Sequence, residues 1–168
     1  MKKAIVIIII IVIGISQISA TVKEETFEEA YPTLMEEATR ISKAIYGEGN
    51  YVSLVEKACI AWCIYNCCDY YNMEVEQLVQ PNYYLGYDQN NPVTEENFRI
   101  AFDVALGHWI EQQYGECPNR VLPKEYKFFG GHDGHNWFRI EFEHFRNYWD
   151  YSLPNPYEGG LPEYYECN

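Results

Sequence analysis

Apolar residues recur at helical spacing through most of the chain. Leu34, Ala38, Ile41, Ala44 and Ile45 fall on one stripe, and Thr33 with Glu36 forms a capping-box pattern just after Pro32. This predicts a helix from about Thr33 to Gly47-Glu48-Gly49, where two glycines break the pattern. Ser53 with Glu56 predicts a second capping box, opening a helix through Val55, Cys59, Trp62 and Cys63 to about Cys67. Asn72 is read as the cap of a short helix carrying Val75, Leu78 and Val79, stopped by Pro81. Residues 81–93 form a loop rich in Tyr, Asn and Pro. Thr94, followed by Glu95 and Glu96, starts a long helix whose stripe is Phe98, Ala101, Phe102, Ala105 and Trp109, ended by Gly115.

The period then changes. Glu125 to Phe129 and Asn136 to Phe142 alternate as strands do, with Phe138, Ile140 and Phe142 on one side, and Gly130 to Gly134 reads as the turn of a β-hairpin. The predicted fold class is α+β: a mostly helical single domain with a small C-terminal hairpin. An acidic arm over 21–32 precedes a domain over 33–148, and a Tyr- and Pro-rich tail follows over 149–168.

The first twenty residues fall outside this pattern. Met1-Lys2-Lys3, an Ile/Val run from Ala4 to Ile15 and a small or polar stretch ending at Ala20 follow the order of a secretory signal, with cleavage expected after Ala20. The apolar run is short against the roughly 20 residues of a membrane span. Ile18 is large for its place before the cleavage site, so an uncleaved anchor stays open as the one route to a membrane. Residues 21–168 number 148, and losing Lys2 and Lys3 moves the formal charge from -13 to -15. The localisation read from this is secreted or envelope-associated, with the oligomeric state left open.

The acidic balance argues against nucleic acid as a partner, since phosphate contact needs Lys and Arg. The apolar fraction of 48% excludes global disorder. Sixteen Tyr, eight Phe and four Trp either pack the core or line a groove that stacks flat ligands such as sugar rings. Export permits disulfides. Cys59, Cys63 and Cys67 share one helix face, which disfavours bonding among them, so Cys68, Cys117 and Cys167 are the better bridging candidates. The chain lacks a phosphate-binding Gly-rich loop, a Ser nucleophile elbow, an HExxH pair and a Cys-x-x-Cys pair, and no metal or cofactor is expected. Cys117 with His132 or His135 has no nucleophile signature around it.

Glu48 is the leading candidate for chemistry. It lies between two glycines at the junction of two helices, where a cleft can form and a ligand can approach closely. A lone carboxylic acid there suits general-acid cleavage of a glycosidic bond, and an apolar pocket is the physical means of keeping it protonated. Its bland alternative is an exposed turn residue.

Three blocks carry a resemblance. They are AIYGEG (Ala44 to Gly49) leading into VEKACIAWCIYN (ending at Asn66), YYLGYDQNNPVTEE (Tyr83 to Glu96) and RVLPKEYKFFGGHDGHNWFR (Arg120 to Arg139). In this order they resemble the cell wall hydrolase family that includes the spore-cortex-lytic enzymes. In that family a Gly-Glu pair is followed, eighteen residues after the Glu, by an Asn, and Glu48 and Asn66 keep that spacing. The resemblance implies a lysozyme-like domain acting on peptidoglycan glycan strands, with Glu48 as the acid, often in a lytic transglycosylase mode. It also implies that Tyr87 lines the cleft, with Asn66, His135, Asn136 and Phe138 at or near it. The bland readings are core packing for Phe138 and turn satisfaction for Asn136.

Three positions depart from the family pattern. Val52 stands where a second Glu is usual, Cys67 where an Arg often follows the Asn, and Tyr83 where a Gln is common. A hydrolase would need a second carboxylate about 5 to 9.5 Å from the first, and Asp88 and Asp133 are candidates by location. Two rivals remain from the residues themselves: a non-catalytic wall-binding protein on the same fold, and a disulfide-stapled effector that binds a protein.

Overall fold

The computed structural model describes residues 25–84, 86–142 and 155–161. Residues 1–20, read from the sequence as a secretory signal, the Cys167 bridging candidate and most of the 149–168 tail lie outside the described residues. About half of the described residues are helical, and they include one antiparallel hairpin near the C-terminus, so the chain is a mostly helical α+β protein. Its elements are α1 (Phe27–Gly49), α2 (Leu54–Tyr71), α3 (Val75–Leu78), α4 (Glu95–Tyr114), β1 (Phe128–His132) and β2 (His135–Arg139). Among the described residues, no helix is long and apolar enough to cross a membrane.

Helix α2 is the hub. Every residue from Val55 to Cys68 is buried, with α1, α3, α4 and both strands packed around it. A helix apolar on all sides must be surrounded, and α2 is. Cys59, Cys63, Cys67 and Cys68 are buried along it, and Cys117 is half-buried. Cys68 therefore sits in the core, not at a surface bridge: Leu54–Tyr71 runs one turn further than its apolar stripe predicts.

Three boundaries differ from the sequence reading. Helix α1 starts at Phe27, with Thr26 as cap. The Thr26 side chain accepts from the Glu29 N–H at 3.3 Å, and the Glu29 carboxylate accepts from the Thr26 N–H at 3.0 Å. Two capping boxes compete along this stretch, and the earlier one captures part of the acidic arm and takes Pro32 inside the helix. Asn72 closes α2 in a left-handed conformation (φ 52) and does not open α3, whose own box is Glu74 with Gln77. The hairpin turn is only Asp133-Gly134, both at positive φ (55 and 80). Two such residues match the twist of the flanking strands, so Gly130 and Gly131 join β1, opposite Trp137 and Asn136. Asn136 and Phe138 then face inward, Ile140 and Phe142 lie past the end of β2, and Phe142 is exposed.

Polar ties join the layers. The buried Lys57 of α2 donates to Glu96 at 2.6 Å and Asn97 at 3.0 Å on α4. Tyr65 of α2 donates to Glu37 of α1 at 2.7 Å. From the tail, Tyr157 is buried and donates to Asp103 of α4 at 2.7 Å.

Two outcomes follow for stability. Pro32 is exposed and offers no N–H to the Glu28 carbonyl, so Pro32→Ala should stabilise the fold by about 1 to 3 kcal/mol in denaturant titration. Burial raises the Glu37 carboxyl above its ordinary value of 4.5, against the Tyr65 hydrogen bond that lowers it. The folded state then holds this proton more tightly than the unfolded chain, so stability falls as pH rises from 4.5 through the raised value. Glu37→Gln should flatten that part of the stability profile measured by thermal melts.

Candidate functional site

Glu48 lies in the last turn of α1, half-buried, where the α1–α2 connection meets the loop after α3. Its Oε1 accepts the Gly86 N–H at 2.7 Å, and its Oε2 has no hydrogen-bond partner among the described residues. The flanking glycines are required by the protein's own packing. A Cβ on Gly47 would run into the carbonyl of Gly86, and one on Gly86 would stand 2.5 Å from the Gly47 carbonyl. A Cβ on Gly49 would meet Ile60 Cδ1 at 2.7 Å. The close approach predicted for a ligand is thus made by backbone and core. Asn91 fastens the same loop, donating to the carbonyls of Gly86 at 2.9 Å and Lys43 at 3.1 Å.

Two cavities meet at Glu48. One, about 500 Å³, is walled by Tyr71, Leu78, Tyr83, Tyr84, Phe128, Phe129 and Phe142, with Cys67 and Lys127 also on its lining. The other, about 480 Å³, is the more polar of the two and is formed by Tyr46, Asn50, Tyr51, Val52, Asp133, His135 and Asn136 with the glycines around them. Tyr51 is 98% exposed at its rim. Both volumes lie in the range of small-ligand sites. Burial pushes the Cys67 thiol up to about 11, with Lys127 pulling the other way, so this sulfur is a protonated wall group at neutral pH.

Glu56 holds the polar side together. It is almost fully buried, and its Oε1 accepts the Asn136 backbone N–H at 2.6 Å and the Asn136 side chain at 3.0 Å. Its Oε2 lies 3.3 Å from His135 Nδ1. Asn136 also donates to the Glu48 backbone carbonyl at 3.3 Å, which links the hairpin to the end of α1. Only half of the Ser53 capping box therefore forms. Ser53 Oγ accepts the Glu56 N–H at 3.3 Å, while the Glu56 carboxylate turns to the hairpin. The spacing that marks a capping box concealed this role.

The structure brings Glu48, His135 and Asn136 to one place, and it sets two other candidates apart. Asn66 is buried: its amide donates to the carbonyls of Pro123 at 2.9 Å and Tyr126 at 2.8 Å and accepts from Arg120 at 2.8 Å. With both N–H groups and its oxygen engaged inside the protein, Asn66 positions the hairpin stem and does not face a substrate. Tyr87 points into the core, its hydroxyl accepting from Arg40 at 3.4 Å, and the same loop lends Tyr83 and Tyr84 to the cavity in its place. Phe138 is core. Asp88 is spent on its own turn, accepting from the Asn90 N–H at 2.7 Å, whereas Asp133 is exposed on the polar cavity's lining.

Comparison with models of known protein families, with curated proteins and with solved structures finds no match. The geometry and the residues are what a functional reading rests on.

Gly47→Ala should cost about 2 kcal/mol or more in denaturant titration, because the added methyl must push the Gly86 loop away from Glu48. Gly131→Ala, at a glycine with open space around it, is the control and should leave stability near wild type.

Proposed function

We propose that this chain is an exported peptidoglycan-cleaving enzyme with a lysozyme-like catalytic arrangement, a lytic transglycosylase or muramidase-like glycosidase with Glu48 as general acid and base. One observation carries the reading: Glu48 stands where two cavities meet, its Oε1 pinned by the Gly86 N–H and its Oε2 without a hydrogen-bond partner among the described residues. A chain that spans both cavities passes its scissile bond over that oxygen. The spacing from Glu48 to Asn66 and the two later blocks supply the substrate class.

In the transglycosylase mode one carboxyl group suffices. Protonated Glu48 gives its proton to the glycosidic oxygen as the bond to the anomeric carbon breaks. The resulting carboxylate takes the proton from the 6-hydroxyl of the same muramic unit as that oxygen bonds to the anomeric carbon, closing an anhydro ring. The protein returns to its starting protonation state and no water is consumed. Asp133 is the described carboxylate on the polar side that a hydrolytic variant would call on, whereas Glu56 is committed to Asn136 and His135. Aromatic walls supply binding that charge does not, since a chain of net charge -13 gains no long-range attraction to an anionic wall.

Val52 at the second-Glu position favours one further reading, a wall-binding protein on the same scaffold that performs no cleavage. Digestion of purified peptidoglycan separates the two. Glu48→Gln keeps an acceptor for the Gly86 N–H, so it should melt near wild type and release no reducing or anhydro sugar by mass spectrometry. Release at the wild-type rate removes Glu48 from the chemistry, and wall binding without any soluble product from the wild-type chain establishes the binding protein.

A further inference from the structure

Lys127 stands out on charge. The chain carries 25 acidic and 12 basic residues, and acidic partners are plentiful. Arg40, Lys57, Arg99, Arg120 and Lys124 each reach a carboxylate. Lys127 reaches none among the described residues; Lys43, whose ammonium donates to the Gln89 carbonyl at 2.6 Å, shares this but lines neither cavity. The Lys127 ammonium lies 4.6 Å from the centre of the Tyr70 ring and donates to the Glu125 carbonyl at 3.2 Å, both neutral partners. Its position is fixed from behind: its backbone N–H donates to the Arg139 carbonyl at 3.1 Å, so the residue extends the hairpin ladder just before β1. It lines the aromatic cavity that Glu48 also lines.

A cation held by neutral groups beside an apolar wall keeps much of its charge for a ligand, and a carboxylate there would form a charge-assisted hydrogen bond with it. Phe128 and Phe129 offer ring surface beside it, suited to the apolar face of a sugar. We propose that Lys127 is the specificity-determining residue of the aromatic cavity and that it selects a sugar unit bearing a carboxylate. The proposal rests on the glycan-cleaving reading above and adds which unit sits on the aromatic side of Glu48: the muramic one. Its carboxylate has two sources, the lactyl arm itself where the peptide is missing, or the stem peptide where it is present.

The test uses the full chain and three substrates: peptide-stripped glycan strands, peptide-bearing strands, and a chitin hexamer with no carboxylate. Lys127→Met should raise KM about tenfold on a carboxylate-bearing strand. It should leave kcat unchanged there, change nothing on the hexamer and melt like wild type, while Lys127→Arg restores the low KM. A rise on stripped strands alone assigns the contact to the lactyl carboxylate, and a rise on peptide-bearing strands alone assigns it to the stem. An equal effect on all three substrates, or none on any, overturns the proposal. Should the wild-type chain cleave nothing, the Glu48 assignment fails by itself, and calorimetric titration of the same three ligands decides Lys127. A preference for carboxylate-bearing ligands that Lys127→Met abolishes upholds its role, and no preference, or no binding, refutes it.

Discussion

The contact between Gly47 and Gly86 is the constraint on which the candidate site depends. The two backbones approach so closely that neither residue has room for a side chain. This approach lets a main-chain N–H from the loop after α3 reach the Glu48 carboxylate in the last turn of α1. Without it the loop would stand off, Glu48 would lose the partner that fixes its rotamer, and Tyr83 and Tyr84 would not wall the cavity beside it. Asn91 holds the same loop by two carbonyls, one from each side of the contact.

Two buried polar side chains of α2 do for the hairpin what Gly86 does for the loop. Glu56 grips Asn136 at the start of β2, and Asn66, three turns further along, grips the segment that leads into β1. Both sit on a helix with no solvated face, where an unsatisfied polar group costs about 1 to 3 kcal/mol. Each therefore needs partners brought from far along the chain, and supplying them sets the hairpin against the end of α1. The small sheet has too few strands to be stable by itself, and these bonds with buried Phe138 are what seat it.

Charge follows a related economy. A strongly acidic chain with few cations commits two of them to packing between elements: Lys57 between α2 and α4, and Arg120 against Glu111, Asn66 and the face of Trp62 at 4.0 Å. The buried pairs hold layers together, and the cations left facing the groove are correspondingly few. On the glycan-cleaving reading proposed above, an acidic protein has to recognise an anionic polymer at short range, by ring surface and individually placed groups.

The helices, the hairpin and the place of Glu48 were legible in the sequence because each rests on local chemistry: apolar spacing, the Thr94 cap, a Gly-rich turn between alternating segments, a carboxylate between glycines. Where local signals competed, only the fold decided. Thr26 prevailed over Thr33 as the start of α1, Asn72 closed a helix instead of opening one, and the Glu56 carboxylate left its capping box for Asn136. Asn66 and Tyr87 matched a pattern of spacing, but their partners lie dozens of residues away, and spacing carries no information about which way a side chain faces once α2 is enclosed. The sequence by itself determined which elements form and which carboxylate stands at their junction, since those follow from neighbours a few residues apart. The tertiary structure alone decided what surrounds that carboxylate, because burial leaves each polar atom only the partners that distant segments bring to it.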